Sequence, residues 1–273
     1  MPLSTFPRLT HLFRRSRQAG VFSLFLLLVS PLVAAEELRI AVAANFTATL
    51  ERLVETYTNQ HPDFSASISS GASGKHFAQI RQGAPFDIFF SADNELTAQL
   101  VESGHALAGS RDVYATGVLV LWSPDPKKIP ADGLSLLRSA EFRHLAIANP
   151  RTAPYGVAAE SLLQNADINV PRGKLVTGQS LGQAFTFVTS GNAELGFVAA
   201  SQVIVYERDK AAGSRWTPEL NSYPSIVQEV VVLSASKQPK AAQLFIDWVR
   251  NNADAQAIIS ADGYGIPTNP AGQ

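Results

Sequence analysis

Short apolar runs alternate with segments of helical periodicity along most of this 273-residue chain. The run LRIAVA at residues 38–43 suits a buried strand, and apolar residues then recur at helical spacing from Phe46 to Tyr57. Further strand patterns cover residues 64–69, 86–92, 144–149, 195–200 and 226–235, and further helical patterns cover residues 75–81, 94–102, 155–164, 181–189 and 240–250. Strands and helices alternating at this spacing predict parallel, doubly wound α/β units.

Two such series are present, and two apolar strands at residues 117–122 and 226–235 join them. This arrangement predicts a bilobal protein with a cleft between the lobes. In sheets of this kind a ligand binds beyond the carboxyl ends of the strands, at the helix N-termini.

The first 35 residues have the pattern of a secretory signal peptide. Four arginines open the segment without any acidic residue, an apolar run covers residues 21–29, and the small residues Ala34 and Ala35 favour cleavage after Ala35. The apolar run is shorter than the roughly 20 residues that a membrane span needs. We expect this leader to be removed and the protein to be free in a periplasm.

The remaining chain is mildly acidic and lacks cysteine. Without the four leader arginines, 18 basic residues face 23 acidic ones, which gives a net charge of −5. No basic tract stands out, so nucleic acid is not an expected partner. The absence of cysteine excludes disulfides and a lipid-modified N-terminal cysteine, so an ordinary apolar core must hold the fold.

Four turns rich in small or hydroxyl residues lie where predicted strands meet predicted helices. Ala44-Asn45 follows the first strand, residues 71–74 follow the second, and residues 149–156 and 177–184 belong to the second series. Asn45 and Ser180 are suitable N-cap residues for the helices that follow. Because helix N-termini present unpaired N–H groups, two turns from each lobe predict a cage of neutral donors for an anion.

The glycine-rich turn at residues 71–74 precedes Lys75, as in a phosphate-binding loop. A P-loop requires a glycine five residues before Gly74 and a serine or threonine after the lysine, but Ser69 and His76 occupy those places. A buried lysine would also cost desolvation energy. We therefore interpret Lys75 as a solvated residue in the first turn of a helix.

Four segments resemble the periplasmic molybdate-binding proteins of ABC transporters: AVAANFTATLERL, GASGKHFAQIRQGAPFDIFFSAD, ANPRTAPYGVAAE and ELGFVAASQV. The resemblance extends from residue 39 to residue 267. It implies an α/β, two-lobed type II periplasmic binding protein, in which each lobe is a mixed sheet flanked by helices and an oxyanion binds in the cleft between the lobes. Lobe I is then expected at residues 36–116 and 229–273, and lobe II at residues 117–228.

The resemblance also implies which residues bind the oxyanion. They are Ala44, Asn45, Ser73, Tyr155 and Leu181. Asn45 and Ser73 occupy hydroxyl-ligand positions of the family, with an amide at Asn45, whereas the others correspond to backbone donors. Many members have a tyrosine where this chain has Ala199, and we hypothesise that the phenol of Tyr155 supplies the missing hydroxyl. No catalytic residue, cofactor or direct metal ligand is implied, because the metal is bound as its oxyanion.

The implied function is high-affinity periplasmic binding of molybdate and tungstate by a monomer, for delivery to the membrane permease of an ABC transporter. Binding of sulfate or another tetrahedral oxyanion is the main alternative, because sulfate is also a fully ionised dianion. A secreted hydrolase is a second alternative, since His76 is near Ser73 in sequence, although no catalytic motif supports it.

Overall fold

The computed structural model describes residues 37–265, and the predicted signal peptide lies outside them. The strands in this range are β1 (Leu38–Ala43), β2 (Ala66–Gly71), β3 (Ile88–Ser91), β4 (Asp112–Gly117), β5 (Leu119–Ser123), β6 (Leu145–Ala148), β7 (Leu175–Gly178), β8 (Leu195–Ala199), β9 (Ser214–Trp216) and β10 (Ile226–Val232). The α-helices are α1 (Thr47–Gln60), α2 (Ser73–Arg81), α3 (Asn94–Glu102), α4 (Gly133–Ser139), α5 (Pro154–Asn165), α6 (Leu181–Thr189), α7 (Ala200–Glu207), α8 (Pro239–Asn251) and α9 (Ala253–Ala261). None of the helices within residues 37–265 is long and apolar enough to cross a bilayer.

Two five-stranded sheets of the same design organise the chain. Their strand orders are β2-β1-β3-β10-β4 and β7-β6-β8-β5-β9. In the first, β1 pairs in parallel with β2 and β3, and β10 pairs antiparallel with β3 and β4. The second repeats this pattern with β6 and β5 in the roles of β1 and β10. We call each sheet with the helices packed on it lobe I and lobe II, and the predicted two-lobed α/β fold with mixed sheets is confirmed.

The chain passes from lobe I to lobe II at Val118, between β4 and β5, and returns before β10. All of β10 pairs within lobe I, so the expected boundary between residues 228 and 229 falls inside a strand of that lobe. The exact limits of the lobes stay a proposal.

The start of α1 differs from the prediction. Its N-cap residue is Phe46, without a side-chain cap, so the N-cap role predicted for Asn45 is wrong. The reason is that the Asn45 amide bonds to Gln228 and Tyr264 instead of to the helix N-terminus. Ser180, by contrast, caps α6 as predicted, with its side chain accepting from the Gln183 N–H.

Aromatic packing fixes the turn between β1 and α1. Phe46 is fully buried, and its ring centroid lies 5.7, 4.5 and 5.3 Å from those of Phe90, Tyr114 and Tyr264. Each aromatic pair of this kind contributes about 0.5–1.5 kcal/mol beyond its buried area. The turn that contains Ala44 and Asn45 is therefore anchored to the core of lobe I.

Asp262 links helices of the two lobes. It follows α9, is fully buried, and accepts hydrogen bonds from Thr49 (2.7 Å) and Arg52 of α1 and from Arg208 at the end of α7. Helices α1 and α9 pack together in lobe I, whereas α7 packs on β8 of lobe II. One carboxylate thus satisfies two cations and a hydroxyl from both sides of the lobe boundary.

Substitution Asp262→Asn is expected to lower the free energy of unfolding by about 1–2 kcal/mol, because an amide offers one oxygen and no charge to three donors. The arginine side chains are 38% and 36% exposed, so water compensates part of the loss. Urea denaturation of both proteins measures the difference. The exposed Asp63→Asn is the matched control and should stay within about 0.5 kcal/mol of the parent. Equal stability of all three proteins would contradict the linking role of Asp262.

Candidate functional site

Each lobe brings two helix N-termini to the carboxyl edge of its sheet. Helices α1 and α2 follow the parallel strands β1 and β2, and α5 and α6 follow β6 and β7. The first N–H groups of each helix have no intrahelical carbonyl to pair with. All five predicted ligand residues lie in these turns, and four of them are less than 5% exposed: Asn45, Ser73, Tyr155 and Leu181.

The turns of the two lobes contact each other across the cleft. The N–H of Gly74 in lobe I donates to the carbonyl of Thr152 in lobe II at 3.0 Å. On the other side, a Cβ placed on Gly182 would lie 3.3 Å from Cβ of Ala44. The lobes are therefore closed on each other at this point, and the four turns converge.

Ser73 is the first residue of α2 and is 1% exposed. Its Oγ accepts a hydrogen bond from the N–H of Ala92 at 3.0 Å, which fixes the side-chain position. Because a hydroxyl carries one hydrogen besides its lone pairs, Ser73 keeps a proton to donate. Lys75, two residues further along α2, is exposed.

Asn45 and Ala44 are held by contacts within the protein. The N–H of Ala44 donates to the carbonyl of Gly71 at 2.8 Å. The amide nitrogen of Asn45 donates to Gln228 Oε1 at 2.8 Å and to the Tyr264 hydroxyl at 3.2 Å. Both hydrogens of this amide are engaged, so the donor that Asn45 can still offer a ligand is its backbone N–H. Ligand contacts of Ala44 and Asn45 stay predictions.

Tyr155 carries a buried hydroxyl beside Gly117. It is the second residue of α5, after Pro154, and its side chain is 2% exposed. Among the described residues its Oη has no hydrogen-bond partner. Burial raises the pKa of Tyr155 well above its ordinary value, so the phenol keeps its proton as a donor. Ala199 is fully buried at the start of α7, and replacement of its missing hydroxyl by Tyr155 remains our hypothesis.

Leu181 is the first residue of α6 and is 3% exposed. The Ser180 side chain accepts from the N–H of Gln183 at 3.2 Å, which leaves the N–H of Leu181 without a capping partner. The apolar side chain of Leu181 packs in the core of lobe II. Leu181 can therefore donate to a ligand only through its backbone N–H.

Gln228 is the site residue that sequence reasoning missed. It lies in β10, is fully buried, and accepts hydrogen bonds from Asn45 and, at 2.9 Å, from the Tyr114 hydroxyl. Tyr264 completes the group, since its hydroxyl donates to the carbonyl of Asn45 at 2.6 Å. The available signal was the pair of polar residues, Gln228 and Glu229, inside the otherwise apolar run IVQEVVV, because a buried central strand accommodates polar side chains only with hydrogen-bond partners.

The arrangement does not support the hydrolase alternative. His76 is 2% exposed, its Nδ1 bonds to Gln79 Oε1 at 3.2 Å, and its Nε2 faces Gly71, on which a Cβ would lie 2.7 Å away. The ring therefore serves the packing behind the glycine turn instead of activating Ser73. In the part of the chain that the structure describes, no three histidine, aspartate or glutamate residues group as a metal site.

Acidification is expected to destabilise the protein through His76. Burial lowers the pKa of His76 below its ordinary value of 6.5. As the pH falls through 6.5, the unfolded chain therefore binds a proton before the folded protein does, and the free energy of unfolding decreases. Thermal melts between pH 8 and pH 5 should show a steeper loss for the parent than for His76→Phe, which keeps the ring contacts with Phe86 and Phe89. Parallel pH profiles would contradict this assignment.

Two mixed α/β lobes, with helix N-termini from both meeting at a cleft, define a two-lobed solute-binding protein. The family model described as bacterial extracellular solute-binding protein matches residues 38–265. The chain is 42% identical to molybdate-binding protein ModA of Azotobacter vinelandii over 85% of this chain and 91% of that protein. It is 39% identical to molybdate-binding protein ModA of Rhodobacter capsulatus over 92% of this chain and 98% of that protein.

A solved structure agrees with these relatives. The Azotobacter vinelandii periplasmic molybdate-binding protein superposes with a TM-score of 0.80 at 40% identity, covering 85% of this chain and all of that chain. The chain therefore belongs to the bacterial extracellular solute-binding protein family. Membership in this family identifies a binding protein and not an enzyme, as predicted.

Proposed function

We propose that this protein binds molybdate and tungstate in the periplasm and delivers them to the permease of an ABC transporter. One combined observation carries the proposal: neutral donors from both lobes converge at a cleft in a chain 42% identical to a molybdate-binding protein. Solute binding of this kind involves no cofactor, and the metal is held through its oxygen atoms without direct protein ligands.

The anion is held by hydrogen bonds alone. The hydroxyls of Ser73 and Tyr155 and the backbone N–H groups of Asn45 and Leu181 donate to its oxygens, with Ala44 lining the same turn. These groups are fixed before binding by the Ala92 contact of Ser73, the helix starts and the aromatic packing of the β1–α1 turn. Fixed donors avoid the entropy cost of ordering side chains, which raises affinity.

Selectivity follows from the neutral lining. No lysine or arginine occupies a buried position in the four turns. Charge alone therefore does not decide which dianion binds, and the spacing of the donors decides it instead. A smaller anion such as sulfate leaves some donors unpaired, and an unpaired buried donor costs about 1–3 kcal/mol. A protonated phosphate favours a carboxylate acceptor, and none of the four turns has an acidic residue at its donor positions.

Export and delivery complete the proposal. Residues 1–35 act as the signal peptide, the mature protein works as a monomer, and nucleic acid is not a partner. Anion binding favours the form in which the lobes contact each other, as at Gly74 and Thr152. That closed form is the one recognised by the permease.

Isothermal titration of the ligand-stripped mature protein with molybdate, tungstate, sulfate and phosphate tests the function. We expect one-to-one binding of molybdate and tungstate and at least about 100-fold weaker binding of sulfate and phosphate. Preferential binding of sulfate would leave the site as described but identify sulfate as its ligand. Absence of binding to all four anions would overturn the proposed function.

A further inference from the structure

Gln228 is a buried polar residue in lobe I, and the formation of a β-strand does not explain why a polar side chain stands at this position. It lies in the apolar strand β10, between β3 and β4, and its exposure is 0%. The pairing of β10 with β4 shifts register between Gln228 and Glu229. Irregularities of this type re-aim side chains and are frequent beside functional sites. Here the shift accompanies a buried amide that lies next to the cleft.

Hydrogen bonds determine how the Gln228 amide is oriented, that is, where its oxygen and its nitrogen point. The Tyr264 hydroxyl donates its proton to the Asn45 carbonyl, so it can only accept from the Asn45 side chain, and the contacting Asn45 atom must be Nδ2. That nitrogen also contacts Gln228, which must therefore present Oε1 there. The Tyr114 hydroxyl donates to the same Oε1. Reversing the amide would bring two donors face to face, so Nε2 points away from this group.

The Nε2 of Gln228 and the Oη of Tyr155 are neighbours. A Cβ built on Gly117 would lie 2.9 Å from Nε2 and 2.2 Å from Oη. The amide opposes part of the rise that burial causes in the pKa of Tyr155, but neither atom makes a hydrogen bond of normal geometry among the described residues. Even where Nε2 donates one hydrogen to Oη, one amide hydrogen and the phenol proton remain. Each of these two buried donors needs an acceptor, and because they are neighbours one ligand oxygen can serve both.

We propose that Gln228 binds the oxyanion directly, with its Nε2 and the Tyr155 hydroxyl donating to the same anion oxygen. This inference rests on the proposed function and adds a donor from the strand that returns from lobe II to lobe I. Because Tyr155 belongs to lobe II and Gln228 to lobe I, an oxygen shared by the two ties the lobes together. Gln228 then contributes to closure as well as to affinity.

A crystal structure of the wild-type protein with tungstate tests the contact directly. We expect a tungstate oxygen within about 3.2 Å of both Gln228 Nε2 and Tyr155 Oη. A tungstate bound in the cleft with all its oxygens more than about 4 Å from Nε2 would overturn the inference and leave the proposed function intact. This measurement does not depend on the folding of any variant.

Titration of Gln228→Glu with molybdate provides the second test. The new side chain keeps one oxygen for Asn45 and Tyr114 but replaces Nε2 by an acceptor, so affinity at pH 8 should fall about 100-fold and recover partly as the pH falls and the carboxyl gains a proton. Glu229→Gln is the matched control: it makes the reverse exchange at the next position of β10, where the carboxylate bonds to Thr97 and Arg111, and it should alter affinity less than about threefold.

The outcomes separate the two proposals. An equal loss in Gln228→Glu and Glu229→Gln would assign the effect to a general disturbance of β10 and overturn direct binding. Unchanged affinity in Gln228→Glu, with tight binding by the parent, would overturn the inference alone. A parent protein that binds none of the oxyanions would remove the proposed function and this inference with it.

Discussion

Replacing Gly117 with alanine is expected to lower the affinity for molybdate about 100-fold while the protein still folds. The added Cβ would lie 2.2 Å from Tyr155 Oη and 2.9 Å from Gln228 Nε2, distances that require both groups to move. Both side chains are buried, so they move only by disturbing the donors that converge on the cleft. The folding cost of overpacking at one such site is about 1–3 kcal/mol, which a protein of this size tolerates.

Titration calorimetry measures the affinity, and a double-mutant cycle tests the cause. A Tyr155→Phe background removes the closest contact, that of Oη at 2.2 Å, and keeps that of the ring carbon Cζ at 2.9 Å. Gly117→Ala should therefore cost less there than in the parent, which makes the two effects non-additive. Gly173→Ala is the control, because a Cβ at Gly173 meets nothing within 4 Å. Full additivity of the two substitutions would show that Gly117→Ala does not act through the Tyr155 hydroxyl.

The alternation of strands and helices made the fold predictable, because buried parallel strands and amphipathic helices leave strong periodic patterns. The strand at residues 38–43 and the helix at residues 94–102 have the predicted bounds. Elements without such patterns were missed. The strand Asp112–Gly117 has a mixed composition and is defined by its pairing with β10, and the helix Ala253–Ala261 is defined by its packing on α1 and α8.

The candidate site was predictable only where local sequence carries the chemistry. Small and hydroxyl residues at strand ends mark helix N-termini, which predicted the turns at residues 71–74 and 177–184, whereas the family resemblance implied Ser73 and Leu181 within them. The partners of Asn45 were not predictable in this way, because Gln228 and Tyr264 are separated from it by 183 and 219 residues. A sequence shows that Asn45 can cap a helix, whereas only the tertiary structure shows that another partner takes its amide.

Tyr155→Phe is the second substitution for which we expect a large effect. It should lower the affinity for molybdate without lowering the stability of the unliganded protein. Loss of a hydrogen bond to a charged group costs about 1.5–3 kcal/mol, so affinity for molybdate should fall about 10- to 100-fold. The unliganded protein should unfold at the same or a slightly higher denaturant concentration, because the substitution removes a buried hydroxyl that has no partner among the described residues. Calorimetry and urea denaturation of the unliganded proteins measure the two quantities.

Tyr223→Phe distinguishes this result from a general effect of losing a buried hydroxyl. The Tyr223 hydroxyl accepts from the N–H of Leu119 at 3.2 Å, so its removal leaves that donor unpaired and should lower the free energy of unfolding by about 1 kcal/mol. Opposite signs in stability for the two substitutions, with affinity lost only in Tyr155→Phe, identify Tyr155 as a residue whose hydroxyl serves the ligand and not the fold. A Tyr155→Phe protein that binds molybdate as tightly as the parent would exclude the phenol from the site, and the oxyanion would then depend on Ser73 and the backbone donors.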